Sequence, residues 1–178
     1  MRGRTPLFVP CTPKGCLEML RRARLPVAGA ACVVLGNSNT VGTPLSMLLR
    51  DCGASTVTVC HAAGGGPDDG RLASISRTAD LLFAAVGRAG LVKASWVKPG
   101  ATVVDVGINA VKAGPEAVDD EQWRVVGDVD YEAVAAVAGA ITPVPGGVGP
   151  MTVAALLDNI LHAWLRTEVG ATYAAVKA

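Results

Sequence analysis

Aromatic residues are scarce in this chain: at 4% of 178 residues they cannot build a core, which falls instead to Ala, Val and Leu. Charge is scarce as well. The 17% charged content leaves a formal net charge of +1, which offers no basic patch for nucleic acid and no acidic tail. No uninterrupted apolar run reaches the length of a membrane span; the longest, Ala133–Ile141, is far too short, so no membrane partner is expected. The basic start Met1-Arg2-Gly3-Arg4 has no apolar h-region behind it, so no secretory signal is expected. Cysteines Cys11, Cys16, Cys32, Cys52 and Cys60 form an odd, scattered set with no C-x-x-C pair. That pattern argues for free thiols in a reducing compartment, cytoplasmic or organellar, and against zinc or any other metal. The G-x-G-x-x-G dinucleotide fingerprint is missing too: Gly36 and Gly42 stand with five residues between them.

What is present is a folded chain, 51% hydrophobic, long enough for one domain with a good core. Its most informative stretch is Ile141-Thr142-Pro143-Val144-Pro145-Gly146-Gly147-Val148-Gly149-Pro150-Met151-Thr152. Pro143 and Pro145 stiffen the entry and cannot sit mid-sheet. Gly146, Gly147 and Gly149 let the main chain approach a ligand closely. Pro150 suits the first turn of a helix, and Val153, Leu156, Leu157, Ile160, Leu161, Trp164 and Leu165 then form one helical stripe. A tight strand-to-helix turn would account for one or two of these glycines. The whole string points to a rigid loop feeding a helix N-terminus that favours a polar or anionic ligand.

Thr12 and Pro13 read as N-cap and first position of a helix ending before Pro26. Short apolar runs at 30–35, 56–60, 80–86 and 101–106 read as strands, most of them stopped by glycine, and 125–129 as a further one. Helices are expected at 44–51, 72–77 and 131–138, with a flexible loop at 64–70. Strands alternating with helices indicate a parallel sheet covered on both faces, an α/β fold. Ligands in such folds bind beyond the carboxyl ends of the strands, where Gly36, His61, Gly87 and Gly107 would lie. In the turn after the first strand, Gly36 bends the chain and Gly42 lets a helix start close by. Asn37, Ser38 and Thr40 offer polar groups there, which fits a nucleotide or a plain loop equally. Asp105 and Asp128 end strands and are expected to cap turns. His162, between stripe positions, is expected to be a surface or satisfied histidine.

Six blocks of the chain, in order, resemble the bifunctional methylenetetrahydrofolate dehydrogenase/methenyltetrahydrofolate cyclohydrolase family. They are 10–15 (Pro-Cys-Thr-Pro-Lys-Gly), 36–44, 56–61, 105–109, 126–129 and the proline–glycine string itself. The likeness runs from about Leu7 to Leu165. It implies a Rossmann-like, doubly wound parallel sheet, three layers αβα, with flanking N- and C-terminal helices. The expected parts are a linker and inter-domain helix at 1–28, the NAD(P)-binding domain at 29–149, and a C-terminal helix and tail at 150–178. It also implies hydride transfer from a tetrahydrofolate derivative to NAD(P), then methenyl hydrolysis, in a homodimer.

Cofactor contacts expected under the resemblance are Gly36, Asn37, Ser38, Val41, Gly42, His61, Ala62, Val86, Gly87, Gly107 and Ile108. Pro145, Gly146, Gly147, Val148 and Gly149 would face the folate. NADP is the family's usual cofactor, but the family commonly has Arg where Asn37 stands and Ser where Ala62 stands, both contacts of the 2′-phosphate. Without that charged clamp the choice between NADP and NAD is open. The resemblance puts the family's catalytic lysine, in a Tyr-x-x-x-Lys motif, in a domain preceding the Pro-Cys-Thr-Pro block, so no catalytic residue is expected here. Tyr173-Ala174-Ala175-Val176-Lys177 has that spacing, at a position where chains fray. Rival readings are a non-catalytic dinucleotide-binding or dimerising module and a different small-molecule dehydrogenase using Tyr173 and Lys177.

Overall fold

The computed structural model describes residues 6–61, 70–112 and 123–168. The elements run α1 (Cys11–Arg22), β1 (Ala31–Leu35), α2 (Gly42–Asp51), β2 (Thr56–Cys60), α3 (Arg71–Ser76), β3 (Leu81–Ala84), a 3₁₀ turn at 94–96, and β4 (Thr102–Asp105). They continue with β5 (Asn109–Lys112), β6 (Trp123–Val126), α4 (Tyr131–Ala135), β7 (Ala140–Ile141) and α5 (Val148–Glu168).

Five strands form a parallel sheet in the order β2-β1-β3-β4-β7. Cys32 is flanked by Val57 on one side and Leu81 on the other, so β1 lies between β2 and β3. The chain leaves β1 toward β2 and then returns past β1 to β3, which makes the β1/β3 boundary the point of reversal. Side-chain alternation sends β1 into two cores at once. Val33 and Leu35 join Leu82, Ala84 and Val103 with Ala73 of α3, Trp96 and Val134 of α4. Cys32 and Val34 join Leu81, Phe83 and Val104 with Cys16 and Leu20 of α1, Leu45 and Leu49 of α2 and Val148 of α5. The expected three-layer αβα arrangement is present.

Several local expectations need correction. Prolines were expected at the first position of three helices, yet α1, α2 and α5 each begin two residues earlier, so Pro13, Pro44 and Pro150 are third. Third-position N–H groups still lack an intrahelical acceptor, so proline is equally free there. The strand expected at 125–129 is β6, which pairs antiparallel with β5 in a separate hairpin rather than in the main sheet. Neither β5 nor β7 was foreseen, and α4 ends three residues short of the expected 138. The loop expected at 64–70 lies outside the described residues except for Gly70.

Helix α5 packs lengthwise on α1. An added Cβ at Gly15 would stand 2.9 Å from the Met151 backbone, so glycine there lets the helices close up. Lys14 is ion-paired to Asp158 and hydrogen-bonds Asn159 Oδ1 at 2.9 Å, while Asn159 Nδ2 donates to the Val9 carbonyl at 2.8 Å. His162 is buried, with Nδ1 2.7 Å from the Asp158 carbonyl oxygen. The apolar stripe of α5 points the other way: Val153, Leu156, Leu157, Ile160, Leu161 and Trp164 are all exposed. The expectation of no span-length apolar segment missed this helix, because it counted unbroken runs. Val148–Thr167 has a mean hydropathy of 1.2, long and apolar enough to cross a membrane, though its Asp158 and Asn159 are engaged by Lys14 of α1.

Candidate functional site

The parallel register puts the carboxyl ends of β1, β2, β3, β4 and β7 on one edge, and every described residue expected at the site lies there. Ala62 lies outside the described residues, as do Tyr173 and Lys177. Gly36 and Gly42 are buried, Val41 is half-buried, and Asn37, Ser38 and His61 are exposed. Val86 is half-buried, Gly87 and Ile108 are exposed, and Gly107 is buried. In the loop before α5, which carries the cis Val144–Pro145 bond, Pro145 and Gly146 are exposed, Gly147 and Val148 buried, and Gly149 half-buried.

The turn after β1 is tight for a specific reason. Gly36 has φ +108° and no room for a side chain: a Cβ would lie 2.1 Å from the Ala85 carbonyl oxygen, which belongs to the turn after β3. A Cβ on Gly42 would lie 1.9 Å from the Gly36 carbonyl oxygen. The two turns at the point of reversal therefore touch, and only glycine permits it. Ser38 then caps the start of α2 from four residues before Gly42, its Oγ accepting from the Val41 and Gly42 N–H groups at 3.1 and 3.4 Å. Thr43 N–H is taken by the Ser38 carbonyl at 3.0 Å, and Pro44 has no N–H to give. The helix end is thus largely satisfied by the chain itself. The backbone N–H groups of Asn37, Ser38, Asn39 and Thr40, by contrast, have no acceptor among the described residues. An anion at this edge would be met by the turn more than by the helix terminus.

Two buried carboxylates organise the neighbouring ends. Asp105 accepts from the N–H groups of Gly107 (3.0 Å), Asp128 (2.9 Å) and Val129 (2.9 Å). Asp128 accepts from Val86 (2.6 Å), Gly87 (2.9 Å) and Arg88 (2.9 Å) N–H and from Asn109 Nδ2 (2.8 Å). Burial raises the Asp105 carboxyl above its ordinary value, against the opposing pull of those backbone donors. Both residues cap turns, as expected of them. The reach of Asp128 to a loop 40 residues away was not visible in the sequence. Nor was the reason for Gly107 and Gly127, whose Cβ atoms would overlap the carboxylates of Asp128 and Asp105 at 2.3 and 1.8 Å.

A cleft of about 790 Å³ lies elsewhere, along α1 between α2 and α5, lined in part by Lys14, Glu18, Arg21, Leu48, Cys52 and Met151. It contains no residue of the strand-end edge, and its charged groups already pair with one another: Lys14 with Asp158, Arg21 and Arg22 with Glu18. Topology and unused backbone donors favour the edge as the ligand site. Among the described residues no group of three or more His, Cys, Asp or Glu could hold a metal ion. All five cysteines are free thiols.

The model of the tetrahydrofolate dehydrogenase/cyclohydrolase NAD(P)-binding domain matches residues 10–168. The chain is 51% identical over 161 residues to bifunctional protein FolD 4, chloroplastic, of Arabidopsis thaliana, covering 90% of this chain and 42% of that protein. It is 49% identical over 164 residues to the bifunctional protein FolD of Rhodospirillum rubrum, covering 92% and 52%. A crystal structure of the Trypanosoma brucei methylenetetrahydrofolate dehydrogenase-cyclohydrolase, complexed with NADP cofactor and inhibitor, superposes with a TM-score of 0.81 at 42% identity, covering 92% of this chain and 53% of that one. The chain spans about half the length of the curated relatives it matches.

Proposed function

Because the chain belongs to the tetrahydrofolate dehydrogenase/cyclohydrolase family as its NAD(P)-binding domain, we propose that the β1/β3 edge supplies the cofactor half of methylenetetrahydrofolate oxidation and methenyltetrahydrofolate hydrolysis. The observation that carries this is the pairing of two glycines that admit no side chain with four consecutive N–H groups that have no acceptor among the described residues. Such a cradle fits a pyrophosphate. The dinucleotide, when bound, supplies the hydride acceptor.

Gly36 and Gly42 keep the floor of the site low enough for close approach. The N–H groups of Asn37 to Thr40 hold the phosphates. His61, at the end of β2, stands on the adenosine side, and Val86, Gly87 and Ile108 line the side toward β4. Pro145 to Gly149 face the folate, with Gly146 at φ +104° turning the chain into α5. Proton movement is assigned by resemblance to a lysine that no matched block of this chain contains.

Titration calorimetry of the 178-residue chain with NADP and with NAD tests the reading. Binding of at least one is expected, with little preference for NADP, since Asn37 brings no charge to the 2′-phosphate. A folded protein that binds neither would refute it. Added methylenetetrahydrofolate separates an active chain from a dinucleotide-binding module, and binding without turnover is the expected result. We further propose self-association, as a dimer, through the exposed face of α5. Helix α1 instead turns Cys16 and Leu20 into the core against the sheet. Five free thiols suit a reducing compartment, for which cytoplasm is the proposed default.

A further inference from the structure

We infer that Asp128 is a positioning residue for the cofactor edge, holding the loop after β3 in the shape the dinucleotide meets, and that Asp105 in turn fixes Asp128. The inference rests on the reading that the β1/β3 edge binds NAD(P). Its basis is geometric. Asp128 is fully buried and aims both oxygens at the backbone of a loop some forty residues away in sequence: one oxygen takes the Val86 and Gly87 N–H groups, the other Arg88 N–H and Asn109 Nδ2. Val86 follows Ala85 directly, and the Ala85 carbonyl is the group against which Gly36 packs. The carboxylate therefore fixes the backbone one residue from the contact that sets the height of the phosphate turn.

A second carboxylate locks the first. Asp105 accepts from the N–H groups of Asp128 itself and of Val129, so the Asp128 backbone cannot move without breaking bonds to a buried charge. The sequence makes room for both groups with Gly107 and Gly127, where any side chain would overlap a carboxylate. An amide cannot replace Asp128. Each of its oxygens receives two donors, so an asparagine NH₂ would face two N–H groups with none to accept. A carboxylate gathering three successive backbone N–H groups and an amide is also a strong, charge-assisted set.

The test is Asp128→Asn, with Asn109→Ala as a milder variant and Asp130→Asn as control, the last paired to Lys93 at the surface. Dissociation constants for NADP and NAD are measured by calorimetry. Amide hydrogen exchange is followed at residues 86–88 and, separately, at β1. In Asp128→Asn, affinity is expected to fall at least about tenfold with faster exchange at 86–88 and unchanged exchange in β1. Asn109→Ala, which removes one of the four donors without touching the loop, should weaken binding about two- to fivefold. Asp130→Asn should match wild type. If Asp128→Asn does not fold, Asn109→Ala decides the matter. Either variant folded with wild-type affinity overturns the positioning role while leaving the functional reading intact. Wild-type protein that binds neither dinucleotide sinks the functional reading and this inference together.

Discussion

The strand-end edge and the outer face of α5 both carry groups that a folded chain ordinarily avoids, and the molecule treats them in opposite ways. At the edge, Asp105 and Asp128 are buried charges, and each finds donors for its oxygens within the chain. On α5, six large apolar side chains from Val153 to Trp164 are 47% to 62% exposed, and nothing in the described chain covers them. The first region satisfies its buried charges from within the chain. The second leaves its apolar side chains open, the kind of patch on which the proposed self-association would rest. Relatives roughly twice as long are consistent with that difference.

If the edge is self-contained, disturbing it should cost both folding and binding. Gly42→Val is the severest case, because its Cβ would stand 1.9 Å from the Gly36 carbonyl oxygen, a backbone atom that cannot swing away. Dinucleotide binding should be lost in calorimetry, with about 1–3 kcal/mol of stability lost in a denaturant titration. Retained affinity would remove this turn from the site. Asn37→Arg, on the exposed rim of the same turn, should instead improve NADP binding over NAD by roughly 1–3 kcal/mol. A wild type that already prefers NADP a hundredfold would mean another residue supplies the charge, Arg88 on the exposed loop after β3 being the first to test.

Acid titration probes the edge against the helix layer with opposite signs. Hydrogen bonds from Arg21 and Arg22 hold the Glu18 carboxyl down at about 2, from an ordinary 4.5. Its stabilising contribution is present above 4.5 and lost as pH falls toward 2. The trio is largely solvent-screened, so Glu18→Gln should cost at most about 1 kcal/mol at neutral pH and nothing near pH 2. Asp105, raised by burial, runs the other way: it favours folding below its ordinary 3.8, and that contribution disappears as pH rises through its folded value. The smallest effect should come from α5. Leu157→Lys with Trp164→Lys should leave unfolding free energy within about 0.5 kcal/mol, because neither side chain is buried. Sedimentation velocity should show the same pair abolishing self-association. A large loss of stability would mean the stripe is covered after all.

Strands β1 and β2 were legible to within a residue, because β-branched runs closed by glycine or a turn are local signals. The carboxyl-edge location followed from strand alternation alone. Three helix starts were misplaced by two residues for one reason: proline marks the first turn of a helix, not a unique position in it. β7 is two residues long and takes its identity from pairing with β4, which no local pattern encodes. The Asp128 clasp was invisible for the same physical reason, since its partners are fixed by the sheet. In retrospect Asp105-x-Gly107 and Gly127-Asp128 carry the trace of it, each glycine leaving space for the other segment's carboxylate. Ala62 and the Tyr173–Lys177 spacing fall outside the described residues.

The Gly15 contact between α1 and α5 sets an order of events in folding. Lys14 and Asp158 are 144 residues apart, so closing that pair confines nearly the whole described chain, at a loop-entropy cost of about 4 kcal/mol. The β1–α2–β2 unit closes over far shorter loops and can form while the ends are still free. The two helices thus act as a latch that engages after the sheet exists, and on unfolding they should release first. Native-state hydrogen exchange would then show α1 and α5 opening together at a free energy below that of β1 and β3.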